Sequence, residues 1–167
     1  GASYMLQLNS DGAEQDKSAN GAMSLPTSTV FDITWTEGLG ENGETHIGYF
    51  WRSIEGYSKF GKFVGSGSET NSPFINLGFR PRMVFCKNIG ASEAWVVADT
   101  ARSTFNPVDK ILKWNNANTE ASGATYAIDI VSTGFKIRTS WEGWNQNGKT
   151  IIYGAWGDVP TRYGNTF

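Results

Sequence analysis

Gln146-Asn147-Gly148-Lys149-Thr150-Ile151-Ile152-Tyr153-Gly154-Ala155-Trp156 sets a turn signal before a strand signal. Asn-Gly takes the positive backbone angles of a tight hairpin turn at little cost. The β-branched and aromatic run behind it predicts a strand over 149–156. The same grammar recurs along the chain. Arg82-Met83-Val84-Phe85-Cys86-Lys87 and Ala94-Trp95-Val96-Val97-Ala98-Asp99 read as two strands of a hairpin, joined through the Gly-containing connection 88–93. Further strands are expected at 45–51, 74–79, 110–114, 126–130 and 134–139, with a second hairpin turn at Asn42-Gly43. No long stretch keeps a 3.6-residue apolar period, and 118–123 has room for one helical turn only. Residues 11–22 are small and polar and read as a mobile loop.

The expected fold is therefore all-β. Two antiparallel sheets pack face to face, as a jelly-roll or lectin-like sandwich with short loops and little helix. Its core is expected to draw on Phe50, Phe74, Leu77, Val84, Phe85, Trp95, Val97, Ile111, Ile130, Phe135, Ile137, Ile152 and Trp156. Alternation alone does not say which of two adjacent apolar residues points inward.

Composition agrees. A chain of 167 residues is one domain's worth and long enough to bury a real core. Aromatics at 14%, with 20 Gly against 5 Pro, suit short strands and tight turns. A net charge of -2 disfavours nonspecific nucleic-acid binding. One Cys rules out a disulfide framework or a multi-thiolate zinc site within the chain, and one His a His-rich metal centre. No apolar run approaches the roughly 18 residues of a membrane helix, so no membrane insertion is expected. The opening Gly1-Ala2-Ser3 lacks an initiator Met and a leader pattern. It reads as the end left by a removed leader, by excision from something longer, or by a cloning scar.

An internal repeat organises the chain. Asn42, Gly43, Thr45, Ile47 and Trp51 match Asn147, Gly148, Thr150, Ile152 and Trp156 at a constant offset of 105. Upstream, Met5-Leu6-Gln7-Leu8-Asn9 is similar to Ile111-Leu112-Lys113-Trp114-Asn115, and Phe31-Asp32-Ile33-Thr34-Trp35 to Phe135-Lys136-Ile137-Arg138-Thr139. Residues 1–53 thus read as the back half of a preceding unit, and 54–167 as the main unit, packed together as one compact domain. A truncated first copy would then complete the core of the second.

Glu55-Gly56-Tyr57-Ser58-Lys59-Phe60-Gly61, Gly65-Ser66-Gly67, Gly78-Phe79-Arg80-Pro81, Asn106-Pro107-Val108-Asp109-Lys110 and Gly134-Phe135-Lys136-Ile137-Arg138 together carry a family resemblance. The chain resembles a repeated β-rich domain of tailed-bacteriophage virion and tail-fibre proteins, often found beside concanavalin-A-like lectin modules. The ending Ala155-Trp156-Gly157-Asp158-Val159-Pro160 departs from that family's commoner Ala-Phe-Ala-Glu-x-Pro. The resemblance implies a virion protein made in the bacterial cytoplasm and carried on the particle surface. It implies other virion proteins as partners and a homo-oligomer, first of all a trimer. It supplies no catalytic residues.

Trp141, Glu142, Trp144, Asn145 and Asn147 form the candidate glycan-binding set. A sugar offers an apolar C–H face to an indole and a ring of hydroxyls to amides and carboxylates. The opposing reading places one or both Trp in the core. The other copy has Trp35, Glu37, Gly38 and Leu39, so the second Trp is not repeated. His46 and Cys86 read as structural residues, with no nearby partners for catalysis. Glu14-Gln15-Asp16 begins a glucanase-like acidic motif that Ala19 breaks. No enzymatic activity and no cofactor are expected. Calcium has scattered oxygen donors only, at Asp109, Asn115, Asn116 and Asp129. Arg80, Arg82, Lys110, Lys113, Lys136 and Arg138 read as solvent-facing strand residues and not as a phosphate track. Three functions follow. The first is a host-glycan-binding appendage domain. The second is a structural virion protein for capsid decoration or fibre assembly. The third, a glycan-cleaving enzyme, is disfavoured.

Overall fold

The computed structural model describes residues 4–20, 27, 29–30, 43 and 45–158. Among the described residues, three antiparallel sheets are built from eleven strands. The large sheet holds β3 (Ser58–Val64), β5 (Pro81–Asn88), β6 (Val96–Asp99), β7 (Lys110–Lys113), β8 (Ala121–Ser122) and β11 (Thr150–Gly157), in the order β3-β11-β5-β6-β7-β8. The small sheet holds β4 (Phe74–Asn76), β9 (Ile128–Val131) and β10 (Gly134–Ile137), with β10 in the middle. A two-residue pair, β1 (Tyr4–Met5) with β2 (Gln15–Asp16), stands apart.

The hydrophobic core lies between the two larger sheets. Val84, Cys86, Val96, Ala98, Ile111, Ile151, Tyr153 and Ala155 face Ile75, Ile128, Ile130, Phe135 and Ile137. Phe135 bridges the layers, with its ring 5.8 Å from Tyr153 and 6.5 Å from Phe63. The fold is thus an all-β antiparallel sandwich with little helix. The hairpin expected over 82–99 is present as β5 and β6, paired from Met83↔Asp99 to Cys86↔Val96.

β11 organises the large sheet. It pairs with β3 from Thr150↔Val64 to Trp156↔Ser58, and with β5 from Ile151↔Asn88 to Gly157↔Pro81. Its period of two turns Ile151, Tyr153 and Ala155 into the core. Ile152, Gly154 and Trp156 take the outer face, beside Phe60 and Phe85. Gly154 is obligatory there. A Cβ would fall 2.3 Å from the Phe85 ring and 2.8 Å from that of Phe60.

One edge of each larger sheet is capped. Ile54 bridges Ser58, and Ser53 Oγ accepts from Phe60 N at 3.1 Å, so half of β3 is covered. On the small sheet, the Asn106 amide donates to Ile130 O at 2.8 Å and accepts from Ile130 N at 2.9 Å, mimicking a strand. Both devices blunt edge-to-edge pairing.

Several expectations are corrected. Residues 45–51 lie outside the strands, and Phe50, assigned to the core, is 70% exposed. Phe74 is exposed because Ile75 takes the inward position of β4. Phe85, Ile152 and Trp156 are half-buried on the outer face, one residue out of phase with the core. Residues 118–123 hold β8 instead of a helical turn; short helical turns occur at Ala124–Tyr126 and Glu142–Asn145. Asn147-Gly148 makes a turn, with Gly148 at φ 71 and Lys149 N donating to Gln146 O, but it follows that short helix and joins no hairpin. Residues 11–16 are anchored. Asp11 O accepts from the Lys87 amine at 3.0 Å, and Glu14 N donates to Ile89 O. The repeat block 31–35, the comparison residues Glu37, Gly38 and Leu39, the turn residue Asn42 and the terminal Val159-Pro160 lie outside the described residues.

Candidate functional site

The segment 139–148 divides between core and surface. α1 (Glu142–Asn145) packs on β5 and buries Gly143, Trp144 and Asn145. Trp144 is fully buried within the core cluster, and its Nε1 has no hydrogen-bond partner. Asn145 is also fully buried, and its amide is saturated. Nδ2 donates to Thr139 O at 2.6 Å and Ser68 O at 3.0 Å, while Oδ1 accepts from Ser66 N at 2.8 Å. Such an amide locks the loop 65–68 against α1 and has nothing left for a ligand. Glu142 and Asn147 are exposed. Of the five residues expected to hold glycan, Trp144 and Asn145 are therefore structural, because helical spacing carries them inward.

Trp141 has the opposite fate. It is half-buried, with the Tyr126 ring at 4.9 Å and the Trp144 ring at 5.9 Å, both edge-on. Its indole lies over Gly143, where a Cβ would come within 2.3 Å of the ring. One side of the residue lines a cleft of about 280 Å³ shared with Glu69, Ala124, Thr125, Arg138, Thr139 and Ser140. Ser140 Oγ donates to Glu69 Oε1 at 3.4 Å, and Arg138 Nε pairs with Asp129 Oδ2 at 3.3 Å. The cleft thus combines an aromatic wall with a carboxylate, a guanidinium and hydroxyls. The sequence reading missed Glu69, Thr125 and Arg138, which come from three separate loops and strand ends. Ser140 and Trp141 were the available signal.

The family model for DUF7483, a domain of unknown function, matches residues 1–160. The chain belongs to the DUF7483 family. No curated protein and no solved structure matches it.

Elsewhere among the described residues of this DUF7483 chain, Cys86 and Lys87 are fully buried titratable groups. Burial pushes the Cys86 thiol up, so it stays protonated and inert. His46 is exposed. Lys87 is fully buried, an outcome the sequence did not signal. Its amine donates to Glu93 O at 2.6 Å and to Asp11 O. Desolvation pulls it below the ordinary lysine range, against the opposing pull of Asp11 and Glu93. Asp109, Asn115, Asn116 and Asp129 have separate partners. Ser103, Trp95 N, Asn118 N and Arg138 engage them respectively. Among the described residues no cluster of three or more His, Cys, Asp or Glu could hold a metal ion. Glu14–Asp16 falls in and beside β2, whose Asp16 caps Ser18 N at 2.9 Å. No described helix is long and apolar enough to cross a membrane.

Proposed function

We propose that this chain is a non-enzymatic domain of a tailed-bacteriophage virion, part of a tail fibre or similar surface appendage, that holds host-surface glycan. The motif resemblance supports the setting. The cleft beside Trp141 carries the binding reading. A pyranose can lay its C–H face on the indole while Glu69, Arg138 and Ser140 take its hydroxyls. Among the described residues lining the cleft, Glu69 is the one carboxylate. Glycoside hydrolysis ordinarily needs two, so a holding role fits better than cleavage. A weak site of this size gains avidity from repeated display on an oligomer.

The test is calorimetric titration of host-type polysaccharides with the wild type, Trp141→Ala and Glu69→Gln. Glu69 is exposed, so its substitution leaves packing intact. Each variant should weaken binding about tenfold or more, the loss of one aromatic or charge-assisted contact. Unchanged affinity in both variants, or release of new reducing ends, contradicts the reading. A structural virion role is the second reading, with other virion subunits as partners. The exposed apolar run Ile47–Trp51 favours it.

A further inference from the structure

We propose that residues 45–51 are the inner strand of a second, non-identical unit of this fold, lying between that unit's β3-type and β5-type strands. The sequence repeat aligns Thr45, Ile47 and Trp51 with Thr150, Ile152 and Trp156 of β11. β11 is zipped on both sides, to β3 and to β5. Its counterpart stands exposed, with Ile47, Tyr49 and Trp51 between 67% and 78% accessible.

The exposed run already has strand alternation. The Tyr49 and Trp51 rings stack on one side, with centroids 6.4 Å apart and planes within 18°. The Phe50 ring lies over Gly48 on the other side, 2.8 Å from where a Cβ would stand. Ile47, Tyr49 and Trp51 therefore occupy the phase of Ile152, Gly154 and Trp156. His46, Gly48 and Phe50 occupy the phase of the core residues Ile151, Tyr153 and Ala155.

Residue size says which unit receives it. Tyr49 stands where β11 has Gly154, and Phe60 and Phe85 leave no room there for even a Cβ. Gly48 stands where β11 has Tyr153, whose ring fills the space over Gly61; a Cβ on Gly61 would meet the Tyr153 hydroxyl at 2.8 Å. The run therefore does not fit the slot of an identical copy, and exchange between two copies of this chain is excluded sterically. The receiving unit carries a small residue in place of Phe85 and a larger one in place of Gly61.

Full-chain variants test this through the sign of a rescue. The sequence of 45–51 is placed in β11 as I151H/Y153G/G154Y/A155F, with and without F85A and G61L. Opening the slot should lower the Tm of the wild type and raise that of the transplanted chain. If the full transplant does not fold, Gly154→Tyr with and without Phe85→Ala gives the same comparison. A slot opening that lowers Tm in both backgrounds overturns the proposal. Sedimentation with amide exchange on the unmodified chain is the second arm. Fast-exchanging amides over 45–49 are expected in whatever assembly the chain forms by itself. A dimer that protects them identifies an identical copy as the occupant and also overturns it.

Discussion

Thr45-His46-Ile47-Gly48-Tyr49-Phe50-Trp51 and Thr150-Ile151-Ile152-Tyr153-Gly154-Ala155-Trp156 share composition, register and flanking turn chemistry, yet one is exposed and the other is the centre of a sheet. Among the described residues, the difference is the strands that pair with each segment. β11 meets β3 and β5 on its edges and the small sheet across its inner face. A strand pattern states what a segment can pair with; burial comes only when the flanking strands are present.

The contrast is sharpest at the core-facing positions. Ile151→Ala removes a fully buried side chain and should cost about 2–5 kcal/mol. His46→Ala, at the matching exposed position, should stay within about 0.5 kcal/mol. Chemical denaturation reads both, and equal costs would break the comparison. On the outer face, Gly154→Ala forces Phe85 and Phe60 aside and should cost about 1–3 kcal/mol. Tyr49→Ala should again fall within about 0.5 kcal/mol. Trp156 and Trp51 differ less, since Trp156 is itself half-exposed. Trp156→Ala loses its contacts with Phe60 and Phe85 and should cost about 1–2 kcal/mol, above Trp51→Ala in a thermal melt.

The smallest effect concerns pH at the end of the β11 slot, where Lys87 pairs across from Ile152. Burial first, then the Glu142 carboxylate, hold the nearby Glu93 carboxyl above its ordinary range, against the opposing pull of Lys113 and Lys87. A carboxyl raised by folding binds its proton more tightly in the folded state. Its contribution is present at low pH and lost as pH rises through the folded value. Glu93→Gln should therefore be the more stable form at pH 7, with the gap closing as pH falls through the raised value toward the ordinary Glu range and closed below it. A gap that widens on acidification contradicts the assignment.

Much of this fold was legible in the residues. The runs at 82–87, 94–99, 110–114 and 149–156 were long, β-branched or aromatic, and bounded by turn chemistry, and each became a strand of the large sheet. Phase was not legible. Both faces of β5 and β11 carry apolar residues, because aromatic rings also cover the outer face, so alternation offered two equal choices. The candidate site was half legible for a related reason. Trp141 and Trp144 look alike in sequence, but one turn of helix separates the residue that roofs the core from the one that walls the cleft. Asn145 looked like a ligand-binding amide because its partners, Thr139, Ser68 and Ser66, are mostly remote in the chain. Glu69 and Arg138 join the cleft only through tertiary packing.

The contrast between the two matching segments is tested most directly by native-state amide exchange across the unmodified chain. β11 amides should exchange only through global opening, while those of 45–49 exchange within seconds to minutes. Equal protection of the two segments would contradict the account.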